Sequence, residues 1–96
     1  MDNKADLYKV TMNENTQRFE VQTGSEVAFI DYRWYQDKLN LLYVFVPVPY
    51  RGKGISEILI KHALEFATHK KVKVSVYCPY IAKYIRLHPE YQHLLD

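Results

Sequence analysis

Val46-Pro47-Val48-Pro49-Tyr50-Arg51-Gly52-Lys53-Gly54-Ile55-Ser56 is the stretch on which the fold turns. Apolar residues run almost unbroken into it from Leu41, the pattern of a strand covered on both faces, so a central strand is expected over residues 39–48. Pro47 and Pro49 cannot donate to a strand ladder and end it. Beyond the glycines the period changes. Ile55, Ile58, Leu59, His62, Ala63, Phe66 and Ala67 follow the three- and four-residue spacing of one helix face, which predicts a helix over residues 56–68 with His62 on its buried stripe. Glu57, Lys61 and Glu65 line the opposite face, with Glu57 preceding Lys61 in the favourable order. Lys70 and Lys71 close the helix, where cations suit its dipole.

The N-terminal half reads as strands. Residues 7–12 are rich in β-formers, and residues 13–16 form a polar turn. Arg18–Thr23 alternates Phe19 and Val21 with polar neighbours, a half-buried strand. Gly24-Ser25 makes a tight turn before a third strand, Glu26–Tyr35, and residues 36–38 make another. Short connections between successive strands imply an antiparallel meander. In the other direction, residues 72–77 are a β-branched strand. Strand, helix and strand suggest a right-handed βαβ unit with two parallel strands. Pro79 suits the first turn of a second helix with Ile81, Tyr84 and Ile85 on its apolar face. His88-Pro89 ends it, and a short turn or helix closes the sequence. The expected class is α/β, with a mixed sheet, in one domain over residues 1–96.

A chain of 96 residues with 48% hydrophobic and 15% aromatic content can build a core, so disorder is excluded. A net charge of +2 and a pI near 8.6 fall short of a nucleic-acid footprint but favour a small anionic ligand. The one cysteine, Cys78, rules out an intrachain disulfide. The polar start from Met1 to Lys9 does not read as a signal peptide, and no apolar run reaches bilayer length, so a cytoplasmic, membrane-free protein is expected. Four scattered histidines and one cysteine have no metal-ligand spacing, so no metal is expected.

The glycine stretch carries chemistry as well as topology. Gly52 and Gly54 have no Cβ, so a bulky anion can approach their amides. The first amides of the following helix lack intrahelical partners, and with the dipole they form an anion site to which Arg51 and Lys53 add charge. A pyrophosphate fits. The spacing matches neither a Walker loop nor the dinucleotide fingerprint.

With these residues in view, Arg51-x-x-Gly54-x-Ser56 resembles the Arg/Gln-x-x-Gly-x-Gly/Ala signature of the GNAT superfamily of N-acetyltransferases. The stretch from Val46 to Ile55, that from Lys73 to Tyr80, and His88-Pro89-Glu90-Tyr91 resemble motifs of the small stand-alone members, the YjdJ type. The resemblance implies a GNAT-like fold in which two parallel strands splay apart and admit acetyl-CoA. It also implies transfer of the acetyl group to an amine acceptor, such as a protein lysine or a small polyamine, by direct attack in a ternary complex. By analogy Phe45 and Val46 meet the pantetheine arm, with an amide there as oxyanion donor. Arg51, Gly52, Lys53, Gly54, Ile55 and Ser56 hold the pyrophosphate. Ser56 departs from the signature's Gly or Ala, and Tyr43-Val44 stands where small members often carry His-Thr.

Cys78 and Tyr84 are the catalytic candidates. Cys78 ends a strand just before Pro79, and helix starts favour thiolates. Its three open roles are nucleophile, proton donor to the leaving thiolate, and small buried hydrophobe. Tyr84 is either a general acid, as a tyrosine in this helix often is in the superfamily, or a core residue. Glu26, Asp31 and Glu90 could deprotonate an amine, and nothing selects among them. The competing classes are a coenzyme A or acyl-CoA binding module with little turnover and, on the strength of the basic residues, a nucleic-acid binder. A monomer or weak dimer is expected.

Overall fold

The computed structural model describes residues 8–95. The strands are β1 (Thr11–Asn13), β2 (Arg18–Thr23), β3 (Glu26–Tyr35), β4 (Lys38–Phe45) and β5 (Val74–Val76). A 3-10 turn, Val48–Tyr50, follows β4. The helices are α1 (Ile55–Lys70) and α2 (Pro79–Leu87), with a closing 3-10 helix, Pro89–Leu94. The sheet order is β1-β2-β3-β4-β5. The first four strands form an antiparallel meander, and β4 pairs parallel to β5 across α1. The mixed α/β class follows. Among the described residues no helix is long and apolar enough to cross a membrane.

The meander forms because its residues alternate. Phe19, Val21 and Thr23 on β2 and Ala28, Ile30 and Tyr32 on β3 are buried, and their neighbours along each strand are less so. Strand β2 meets β3 through Gly24, whose φ of +73° is the left-handed opening of a two-residue hairpin turn. The turn from β3 to β4 places Gln36 and Asp37 at φ +54° and +62°, the mirror-image turn that matches strand twist. Buried Asn40 steadies that turn by donating Nδ2 to the carbonyls of Lys38 (3.0 Å) and Tyr35 (3.4 Å).

Four expectations are corrected. The first strand is shorter than residues 7–12, and residue 7 lies outside the described residues. Strand β4 is not covered on both faces along its length. Leu39, Asn40 and Leu41 are buried, but Tyr43 is half-exposed and Val44 and Phe45 only partly covered, beyond the point where the pairing with β5 ends. The buried arc of α1 is also rotated. Ile60 and Leu64 are buried, whereas Ile58 and Phe66 are half-covered and His62 is exposed. The reason is that α1 packs against the sheet on one side and against α2 and the closing 3-10 helix on the other. Glu65, expected in solvent, accepts a hydrogen bond of 2.6 Å from the buried Tyr91 hydroxyl.

On the other face of the sheet, Arg18 stacks its guanidinium 3.7 Å above the Phe29 ring and bonds Asp31 at 2.8 Å. Phe29 also meets Phe45 and Tyr43, at ring centroid distances of 5.5 and 6.3 Å. This cross-strand pairing of aromatics steadies the far half of β4, which among the described residues has no strand on its other edge.

Candidate active site

The site begins where β4 and β5 part. Their pairing ends at Leu41 and Val76, with the Tyr77 amide donating to the Leu41 carbonyl at 3.0 Å. The register between β3 and β4 shifts there: Tyr32 faces Leu41 but Asp31 faces Tyr43, so Leu42 is an extra residue. A bulge bends its strand and increases local twist. Beyond it β4 runs on to Phe45 while the chain after β5 turns into α2. The gap is a cleft of about 670 Å³. Residues 43–46 line one wall, Cys78, Pro79 and Tyr80 the other, and the loop from Tyr50 into the first turn of α1 closes the end.

That loop is built around two left-handed glycines, Gly52 at φ +79° and Gly54 at φ +82°. A Cβ on Gly52 would meet nothing within 4 Å, so the backbone there faces open space. Gly54 is the N-cap of α1 and contributes no side-chain cap. The first amide to bond back into the helix is that of Ile58, to the Gly54 carbonyl at 3.2 Å. Among the described residues, no hydrogen bond outside the regular elements is donated by the amides of residues 52–57. A helix start with free amides is an anion site. The loop is braced from behind. The Tyr50 amide bonds the Pro47 carbonyl at 2.8 Å, and the Tyr50 hydroxyl packs so closely on Gly24 that a Cβ there would lie 2.6 Å away.

The residues expected to bind coenzyme are mostly brought together. Phe45, Val46, Arg51, Gly52, Gly54, Ile55 and Ser56 all line the cleft, and Lys53 is exposed and does not. Arg51 donates Nε to the Val46 carbonyl at 2.8 Å, with its guanidinium carbon 5.9 Å from the Phe45 ring centroid. It therefore holds the loop against the end of β4 as well as supplying charge. Glu57 also lines the cleft, at a helix start where a carboxylate is favourable. Its negative charge partly offsets Arg51. The cleft's β4 wall and the bare amides at its end suit an elongated ligand with an anionic group at one end.

The catalytic candidates separate. Cys78 is the N-cap of α2, is 8% exposed and lines the cleft. Tyr84 does not line it. Its ring stacks on His88 with centroids 3.8 Å apart, and the Tyr84 carbonyl bonds His88 Nδ1 at 2.7 Å. Burial first, then the carboxylates of Glu90, Glu57 and Glu65, raises the Tyr84 phenol above its ordinary value, making it a weaker acid. The tyrosine one helical turn earlier, Tyr80, does line the cleft, and its hydroxyl lies 3.1 Å from Ser56 Oγ. Tyr80, Tyr43 and Tyr50, which also line the cleft, are not among the site residues expected from the sequence. The spacing from Tyr80 to Tyr84 placed both on one side of α2, but nothing local said which end of that side reaches the cleft.

The remaining titratable groups lie elsewhere. None of the four histidines lines the cleft. The His62 ring packs its edge near Phe19, and partial burial lowers its basicity, although the residue as a whole is exposed. His88 ends α2. Glu26, Asp31 and Glu90 are outside the cleft, and Asp31 is held by Arg18. Among the described residues no three of His, Cys, Asp and Glu gather as metal ligands.

Comparison with known proteins agrees with this geometry. Residues 18–94 match the family described as GCN5-related N-acetyl-transferase. Protein NATD1 of Xenopus tropicalis is 36% identical over 89 residues, covering 90% of this chain and 82% of its own length. Protein NATD1 of Homo sapiens is 39% identical over 56 residues, covering 58% of this chain and 50% of its own. That of Danio rerio is 29% identical over 89 residues, 90% of this chain and 81% of its own. The chain thus spans about half the length of the human relative that it matches and most of the other two. With the family model covering most of the chain, and a cleft opening where the two parallel strands part, the protein belongs to the GCN5-related N-acetyltransferases.

Proposed function

We propose that this chain binds acetyl-CoA in the cleft between β4 and β5 and transfers the acetyl group to an amine acceptor by direct attack. One observation carries the reading: the acceptor-free amides of residues 52–57, gathered by two left-handed glycines at the closed end of the cleft. They suit the diphosphate, with Arg51 adding charge and Lys53 contributing only long-range potential. The unpartnered edge of β4 suits the amides of the pantetheine arm, and an amide at Phe45 or Val46 suits the thioester oxygen. In the reaction the acceptor nitrogen bonds the carbonyl carbon, the carbon–sulfur bond breaks, and the amine gives up a proton as the thiolate gains one. Cys78 lines the cleft wall, which supports our assigning to its thiol the proton that the leaving thiolate gains. The stretch from Lys73 to Tyr80 and the closing His88-Pro89-Glu90-Tyr91 resemble those of the small stand-alone members, which supports assigning the chain to that type.

The test is release of free coenzyme thiol from acetyl-CoA with a panel of amines: a lysine peptide, a peptide with a free N-terminus and a polyamine. Acceptor-dependent release, with an acetyl mass added to one acceptor, is expected. A second reading, a coenzyme-binding module with little turnover, draws on a cleft lining without histidine and on Tyr43-Val44 standing where small members of the resembled type often carry His-Thr. Tight binding of acetyl-CoA without turnover on any acceptor selects it.

A further inference from the structure

The cleft is flanked by the first turns of two helices, and these turns are tied to each other. Ser56 is the second residue of α1 and Tyr80 the second of α2, and their hydroxyl oxygens lie 3.1 Å apart. Both residues line the cleft, and Tyr80 keeps 50% of its surface exposed. Two hydroxyls carry two protons, and their mutual bond uses one. Phenol is the stronger acid, so the favoured arrangement has Tyr80 donating to Ser56 Oγ and the Ser56 proton left for a third group. A hydroxyl that accepts a hydrogen bond becomes a stronger donor itself. Ser56 stands within the run of free amides at residues 52–57, so the third group within its reach is whatever anion those amides hold.

We propose, resting on the coenzyme reading above, that Tyr80 is a positioning residue for the diphosphate, acting through Ser56. The phenol fixes the serine rotamer and polarises its hydroxyl, which donates to a phosphate oxygen beside the amides. This gives a purpose to a serine at a signature position otherwise held by Gly or Ala. It also couples the two helices that flank the cleft, because the ligand-facing proton depends on a hydroxyl from the opposite wall. The Ser56 hydroxyl is the one that touches the ligand, and Tyr80 has no effect except through it.

The experiment is a double-mutant cycle read by calorimetry with coenzyme A: Ser56→Ala, Tyr80→Phe and the pair. A hydrogen bond to a charged group predicts about a tenfold weaker Kd for Ser56→Ala. Loss of polarisation and of rotamer control predicts about threefold for Tyr80→Phe. The double variant should stay at about tenfold, because Tyr80 has nothing to act through once the serine is gone. S-acetylpantetheine, which has the arm but no diphosphate, titrated by amide chemical shifts, should bind all four proteins within about twofold. Multiplicative losses of about thirtyfold in the double variant, or unchanged coenzyme affinity in either single, overturn the relay. So does an equal loss for S-acetylpantetheine, which would place Tyr80 on the arm. If the parent chain gives no coenzyme binding at all, the site reading fails first and the relay with it.

Discussion

The sharpest test of the anion cradle is a series at Gly54, because its backbone conformation and its place at the ligand site can be read separately. Gly54 sits at φ +82°, ψ 12° as the N-cap of α1. An L-residue in the left-handed region costs roughly 1–2 kcal/mol, least for Asn and most for β-branched side chains. In a domain this size 1 kcal/mol shifts Tm by about 4–8 °C, so Gly54→Ala should melt roughly 4–16 °C below the parent. Gly54→Asn should fall between the two, and Gly54→Val below Ala. Binding follows a different order. A side chain beside the free amides is expected to displace an anion from one of them, and losing one charge-assisted hydrogen bond weakens affinity about tenfold or more. At a coenzyme A concentration of about 100 times the parent Kd, ligand stabilises the parent by about 2.7 kcal/mol. That is a rise of roughly 11–22 °C. Under the same conditions a tenfold weaker Asn variant gains about half as much. The assay is a thermal melt of each variant with and without coenzyme A, with calorimetry on Asn. If Ala melts with the parent, the left-handed N-cap is wrong. If folded Gly54→Asn shows the parent's full ligand-induced rise, the cradle is not where the diphosphate sits.

Leu64→Ala should cost about 2–5 kcal/mol, because the side chain is fully buried. His62→Ala should cost under about 1 kcal/mol; denaturant midpoints showing the reverse order would restore the helix face expected from periodicity. Cys78→Ala should lower kcat about a hundredfold at constant acetyl-CoA KM if its thiol protonates the leaving group. Equal rates return Cys78 to a packing role. The buried Tyr91 phenol is raised well above its usual value by burial and by its bond to Glu65. Its folded form holds a proton that the unfolded chain releases near pH 10, so stability is full below pH 10 and falls as pH rises above it. Tyr91→Phe should flatten part of that alkaline loss of Tm while lowering the neutral-pH Tm by about 4–8 °C for a lost bond worth about 1 kcal/mol. An unchanged alkaline slope would put the titration elsewhere.

Much of the architecture could be read from short-range pattern. The bounds expected for the second and third strands match β2 and β3, because period-two alternation and the turns that interrupt it are local. Pro79 opens α2 and His88 closes it, for the same reason. The glycine loop was legible too. Gly52 and Gly54 are left-handed, and the bare amides that follow them are a property of any helix start without a capping side chain.

What the residues could not disclose were the choices made by distant neighbours. The apolar run from Leu41 to Val46 looks the same whether a strand is covered by protein or left open to a ligand, and only the extra residue at Leu42 and the early end of β5 decide between them. The rotated arc of α1 depends on α2 and the closing 3-10 helix, which arrive later in the chain and bury Ile60 and Leu64 from a second side. The exchange of Tyr84 for Tyr80 at the cleft, and the meeting of Tyr80 with Ser56 across 24 positions of sequence, follow from how the two helices dock. Strand period, turn chemistry and helix capping are settled within a few bonds of backbone, so they can be read residue by residue along the chain. The cleft and the residues that face it are settled by packing between elements far apart in the chain, and no local pattern carries that information.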